Sequence, residues 1–409
     1  MSPHRAIVEA GPGAIRQLCC GTGAVADAEA AGAALDAIDD PVALVAGRPV
    51  AVDSAWRDVL RSLGCDSGDG AVVVHPSWWP PSRIDRVTAA AAPAGDVLAR
   101  PRSWLLRQAS NAPPEATVVV EIAERLVAIN GADAVAVPRT AEPKAIAREV
   151  AGAIERMAQG ATVTVVIDVP NGIDGAAGLA SSVATAVRGD GGGVPKVVRV
   201  DGARLSRIAR SAFREPPEPA ALPVRSRAPR LGVFAAAAVT LATLPLAISA
   251  VAPVDRHGMA AAGLQVAPAT YLVEGRVALS VPANWPTQRV LAGPGSARVQ
   301  VTSPSDPEVA LHVTQSPVAG EALSGTAERL KRGIDAEPAG VFVDFDPSGA
   351  TAGRPAVTYR ELRPTHHVRW TVFVDGPVRI SIGCQSRPGG DNAVREACEQ
   401  AVRSARTIG

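Results

Sequence analysis

LGVFAAAAVTLATLPLAISAVA, residues 231–252, is a run of 22 residues without one charge, set in the middle of a chain of 409. An apolar helix of about 20 residues is long enough to cross a bilayer, so the run reads as a single transmembrane helix. Its flanks give it a direction. Upstream lie Arg204, Arg207, Arg210, Arg214, Arg225, Arg227 and Arg230, whereas the first twenty residues downstream hold Arg256 and no other Arg or Lys. An excess of Lys and Arg marks the cytoplasmic side, which places the N-terminal part inside and the C-terminal part outside. Pro216, Pro217, Pro219, Pro223 and Pro229 make the approach an extended linker. The competing reading is a buried helix of a large soluble domain, and the Ala and Thr content leans that way. Length, the lack of a polar face and the Arg asymmetry outweigh it.

Working outward, the expected organisation is a cytoplasmic α/β domain at 1–215, a Pro/Arg-rich linker at 216–230, the membrane helix at 231–252, a second linker at 253–267 and an extracytoplasmic α+β domain at 268–409. The implied location is the cell membrane, single-pass, with the lipid bilayer as one partner. A net charge of +1 gives no electrostatic footprint for nucleic acid. Five cysteines divide by side: Cys19, Cys20 and Cys65 precede the run, Cys384 and Cys398 follow it. A pair in an oxidising exterior is expected to form a disulfide, the alternative being two thiols. Adjacent Cys19 and Cys20 read as reduced small hydrophobes. No Cys/His spacing suits zinc, and no metal site is expected.

In the first part, AVVVHP (71–76), ATVVVEI (116–122), RLVAIN (125–130), DAVAVP (133–138), ATVTVVIDVP (161–170) and KVVRV (196–200) read as strands. Helices are expected at 82–92, 144–159, 175–188 and 202–213, the last capped by Asp201. Strands alternating with helices indicate an α/β domain. GDGGGVPK (189–196) fails as a phosphate loop, because a helix precedes it, a strand follows and Val197 stands where Ser or Thr is needed. Tandem Trp78 and Trp79 read as a strand-end anchor rather than a ligand platform, and His75 as a packed strand residue.

IVEAGPGAIRQL (7–18), VVVHPSWWPPSRIDRVTAAAAPAG (72–95), VLARPRSWLL (97–106) and TVVVEIAERLVAIN (117–130) together resemble the actin/chaperone ATPase superfamily. The resemblance implies two glycine-bearing hairpins that clamp phosphates, each with an Asp that helps place metal and water. The first maps to Glu9, Gly11 and Gly13, with Glu in place of Asp. The second maps to Glu121, Ile122, Ala123, Glu124 and Arg125 and lacks glycine, so its N–H groups cannot closely approach a phosphate. A third, adenosine-binding element falls at Val169, Pro170, Asn171 and Gly172 and is incomplete. The expectation is a degenerate actin-like fold without ATPase activity, with no catalytic residue and no cofactor.

In the last part, strands are expected at 276–285, 297–303, 308–316, 341–345, 354–362, 366–375 and 377–384, with helices at 321–336 and 391–408. Successive strands with short turns indicate antiparallel pairing and an α+β domain. His366 and His367 are neighbours on a strand and point to opposite faces, which argues against joint chelation. YLVEGRVALSVPANW, RPAVTYREL and SIGCQ…AVREACEQAVRSARTI resemble the type VII (ESX-type) secretion-associated protein family of actinobacteria, over about the last third of the chain. The outer domain also resembles the PsbP/LpqN-like fold, a binding or assembly module. The resemblance implies a non-catalytic component or accessory whose partners are type VII secretion membrane proteins. The alternatives are a nucleotide-binding switch and an envelope ligand sensor.

Overall fold

The structure, a computed structural model, describes residues 5–20, 23–64, 70–189, 195–213, 269–290, 298–318 and 320–408. The described residues within 1–213 and 267–409 form one compact unit.

The first lobe runs β1 (Ala6–Ala10), β2 (Ile15–Gln17), α1 (Ala28–Asp36), β3 (Val42–Val45), β4 (Arg48–Ala51), α2 (Val52–Ser62), β5 (Ala71–His75), α3 (Pro81–Ala91), β6 (Val97–Pro101) and α4 (Arg102–Arg107). Its sheet has the order β2-β1-β5-β6, and β3 and β4 make a separate hairpin between α1 and α2. The second lobe runs β7 (Thr117–Ile122), β8 (Leu126–Asn130), β9 (Ala134–Pro138), α5 (Pro143–Ala158), β10 (Thr164–Val169), α6 (Ala176–Arg188), β11 (Lys196–Asp201) and α7 (Gly202–Ala212). Its sheet has the order β11-β10-β7-β8-β9.

Both sheets repeat one plan. The first strand pairs antiparallel with the next and parallel with a strand that returns after a helical crossover, as parallel pairing requires. Because helices cover the sheets, β5 (AVVVH) and β7 (TVVVEI) are buried at every position and read as continuous rather than alternating apolar runs. Ile7, Val72, Val74, Leu105, Leu106, Val119, Val166, Val200 and Leu205 form one core that joins the two lobes through α4 and α7. Asp201 caps α7 by accepting from the Arg204 N–H at 2.8 Å, as its place in the sequence suggests.

The remaining elements are β12 (Ala269–Glu274), β13 (Val277–Pro282), β14 (Thr287–Val290), β15 (Arg298–Thr302), β16 (Ala310–Pro317), α8 (Leu323–Asp335), β17 (Phe342–Asp346), β18 (Ala350–Thr351), β19 (Arg354–Pro355), β20 (Val357–Leu362), β21 (His367–Asp375), β22 (Val378–Ser386), α9 (Asn392–Ser404) and β23 (Arg406–Thr407). Seven strands make an antiparallel sheet in the order β14-β15-β16-β22-β21-β20-β17, beside a three-stranded sheet β12-β13-β23. The closing helix is shorter than its apolar spacing suggests, because Arg406 and Thr407 leave it to pair with β13. Cys384 at the end of β22 and Cys398 in α9 are joined by a disulfide, which fastens that helix to the sheet.

Two expectations are corrected here. Among the described residues no helix is long and apolar enough to cross a membrane; the run at 231–252, on which the expected transmembrane helix rested, lies outside them. The chain is a mixed α/β fold with several sheets. The single-pass location, with one half inside and the other outside, is overturned by packing. Val8, Val73, Leu126 and Ala136 share one buried core with Tyr271, Val273, Ala278 and Ile408. Ion pairs span the same halves, Arg289 to Asp39 at 3.3 Å and Arg406 to Glu149. Halves that share a dry core cannot face opposite sides of a bilayer. The apolar run was read alone, and this long-range packing leaves no local signal in the sequence.

Candidate functional site

The seam between the two lobes holds the most concentrated buried charge in the described chain. Glu9 is the next-to-last residue of the fully buried β1, Glu121 lies near the end of β7, Asp168 sits in β10, and Arg102 opens α4 directly after β6. All four are buried. The Arg102 guanidinium donates from Nε to Asp168 Oδ2 at 2.7 Å and from Nη2 to Asp168 Oδ1 at 3.0 Å, and its Nη1 pairs with Glu9. Arg16 from β2 pairs with the other Glu9 oxygen. Glu121 has different partners: it accepts from the Ser77 N–H at 3.3 Å and from Asn130 Nδ2 at 3.1 Å.

Electrostatics follow from this geometry. Burial works against the Arg102 charge, but Asp168 and Glu9 more than offset it and hold its pKa above the ordinary arginine value. Two guanidiniums balance Glu9 and Asp168, so Glu121 is the carboxyl left over. Burial pushes its pKa up to about 7, against the opposing hydrogen bonds from Ser77 and the Arg102 charge.

A nucleotide with its metal does not fit this arrangement. The carboxylates that would face a cation already face Arg102, which fills the position with a fixed, hydrogen-bonded charge. A Cβ on Gly13 would stand 2.7 Å from Ile173 Cδ1 and 3.0 Å from the Gly172 carbonyl. The Gly11–Gly13 hairpin and the turn after β10 therefore lie in close contact. Gly172, at φ +81°, permits that turn. At the second hairpin Glu124 is exposed and adds negative charge where a phosphate would approach.

Above the seam lies a cleft of about 380 Å³. Trp78 and Trp79, Glu124 and Arg125, and the acidic run Asp39–Asp40 line it, and Val273, Arg289 and Ile408 from the last part of the chain close over it. Arg83 holds both oxygens of Asp39 and donates to the Val273 carbonyl at 3.3 Å. Trp79 stacks on His75 with centroids 6.4 Å apart and meets Trp56 edge-on at 6.2 Å. Trp79 thus links α2 to β5, and both tryptophans edge the cleft. Burial lowers the His75 pKa, and its Nδ1 lies 2.9 Å from the Pro76 carbonyl, so it is a packed residue. His366 and His367 are not drawn into a metal cluster; among the described residues no group of three or more His, Cys, Asp or Glu side chains is arranged to hold an ion.

Reading the sequence singled out Glu9 and Glu121, which the fold does bring to one seam. It missed Arg102 and Asp168. The signal for Asp168 was a lone acid inside the apolar strand TVVIDV. Arg102 had none, since RPRSWLL reads as an ordinary helix start.

No family model matches the chain, and no curated protein matches it. Among solved structures, the cyanobacterial PsbP (CyanoP) of Synechocystis sp. PCC 6803 is similar at 14% identity, covering 36% of this chain and 96% of its own, with a TM-score of 0.28. LpqN of Mycobacterium tuberculosis, described as involved in cell envelope biogenesis, is similar at 10% identity, covering 36% of this chain and 88% of its own, with a TM-score of 0.23. A Bacteroides thetaiotaomicron protein is similar at 12% identity, over 32% of this chain and 45% of its own, with a TM-score of 0.22. Likenesses this distant carry no argument about function.

Proposed function

We propose that this chain is a non-catalytic assembly protein of the cell envelope, an accessory of a type VII secretion apparatus. The observation that carries the non-catalytic reading is Arg102, whose guanidinium bridges Glu9 of one lobe to Asp168 of the other. A buried, hydrogen-bonded ion pair of this kind fixes relative geometry; here it adds a polar tie to the core that already joins the two lobes. The last part of the chain then packs over the cleft mouth through Arg83, Arg289, Asp39 and Glu274. The outcome is a preset surface rather than a cycling machine. The secretion setting rests on the sequence resemblance of the last third. Cross-linking and affinity capture of the intact chain from envelope extracts tests it: recovery of type VII secretion components supports the setting, and their absence from the captured set refutes it.

A further inference from the structure

His312 on β16 is only 3% exposed, and its bonds fix which ring nitrogen carries the proton. Nε2 lies 2.9 Å from Gln385 Oε1 on β22, and Gln385 Nε2 donates in turn to the Glu308 carbonyl at 3.2 Å. A carbonyl only accepts, so the Gln385 amide nitrogen faces Glu308, its oxygen faces His312, and His312 Nε2 is the donor. Nδ1 is then the bare lone pair, buried and without a hydrogen-bond partner among the described residues. The chain His312–Gln385–Glu308 fastens the turn before β16 to β22. Gly383 lies opposite His312, and a Cβ there would stand 2.9 Å from Trp370 Cη2 and Cζ3. The indole therefore lies over Gly383, with its centroid 6.1 Å from the imidazole.

The groups that face this ring make no provision for a second N–H. Burial, and after it Arg298 on β15 and His366 before β21, oppose a positive charge there and lower the His312 pKa, against the Gln385 bond and Glu361. Glu361 on β20 is already held by Trp370 Nε1 at 3.0 Å and Arg363 Nε at 2.7 Å. The Glu308 carboxylate lies 3.6 Å from His366 Nδ1. We propose that His312 is an acid-triggered latch: neutral, it holds the turn before β16 and the Trp370 face of the sheet closed; protonated, it leaves its slot and lets both open. A proton on Nδ1 creates a buried donor with no acceptor, a cost relieved only by reaching water. The sign follows from linkage. Below the ordinary histidine value of 6.5 the open form takes up a proton that the closed form refuses, so closure is complete at higher pH and weakens as pH falls through that value.

The test is hydrogen–deuterium exchange of the full chain at about pH 7.5 and about pH 5.5, corrected for the intrinsic pH dependence of exchange, with His312→Gln and His366→Gln alongside. In the wild type and in His366→Gln, amides of 306–314 and 383–386 are expected to open several-fold more readily at the lower pH, at most about tenfold per pH unit for one proton. In His312→Gln the opening should be the same at both. Nitrogen-15 spectra of the histidine rings in the wild type give a second reading that needs no variant to fold: a proton on Nε2 and none on Nδ1 at neutral pH, with Nδ1 titrating together with the change in exchange. A proton on Nδ1 at neutral pH, unchanged wild-type exchange, a change that persists in folded His312→Gln, or one lost in folded His366→Gln overturns the latch. So does an equal loosening of β7 and β10, which would report a loss of stability throughout the chain.

Discussion

Arg102 and Asp168 meet through two parallel hydrogen bonds, of 2.7 and 3.0 Å, across the seam between two separately formed sheets. The pair is bidentate, a geometry that guanidinium matches and ammonium does not. Removing the guanidinium strands Asp168 and Glu9 in a buried setting. Arg102→Met is therefore expected to cost about 3–5 kcal/mol, and Arg102→Lys to recover only part of it. Urea unfolding followed by circular dichroism measures both; a loss below about 1 kcal/mol for Arg102→Met, the scale of an exposed pair, contradicts the seam as described.

Glu121 gives a pH signature. Its folded pKa of about 7 lies above the ordinary carboxyl value of 4.5, so folding favours the protonated form. Its contribution is complete below about pH 4.5 and is lost as pH rises through about 7. Glu121→Gln stays neutral throughout. Relative to wild type, the variant is expected to gain stability between about pH 5 and pH 8, by up to about 3 kcal/mol. Urea midpoints across that range report the gain, and a constant difference between the two proteins counts against the assignment.

The disulfide has a separable effect. Cys384 and Cys398 are 14 positions apart and buried, and the cross-link limits the unfolded chain by about 3 kcal/mol for a loop of that length. Replacing both by Ala is expected to lower the thermal midpoint and loosen α9, seen as faster amide exchange across 392–404. Unchanged exchange there would mean that packing of Val394, Ala401 and Val402 holds the helix without the bond.

Asp39 joins the first lobe to the last part of the chain through Arg83 and Arg289. Asp39→Ala leaves two partly buried guanidiniums short of an acceptor and is expected to cost about 2 kcal/mol. Because the two parts share one core, a single cooperative transition should shift as a whole. Two resolved transitions, with only one moved by the substitution, would show that the parts fold independently.

How far the sequence could be read depended on how local each signal was. The buried strands TVVVEI and TVVIDV and the helix cap at Asp201 were legible, because period, apolar run length and capping chemistry are near-neighbour properties. The hairpin at 42–51 was not, since RPVA has no apolar alternation and its partner strand is only four residues long. Glu9 and Glu121 drew attention by position, but the pairing of Glu9 with Arg102 could not be foreseen: the two are 93 positions apart in sequence and meet only in the folded chain. The largest misreading had the same origin. A charge-free run carries a strong local signal for a membrane, whereas the contacts of Tyr271, Val273 and Ile408 with the first lobes are purely long-range.

The central claim is that Arg102 fills the inter-lobe seam and leaves no place for a nucleotide and its metal. Titration of the intact chain with magnesium-ATP, read through the fluorescence of Trp78 and Trp79 at the cleft and checked by calorimetry, tests it most directly. The account predicts no saturable binding through the millimolar range. Saturable, magnesium-dependent binding in the micromolar range would contradict it.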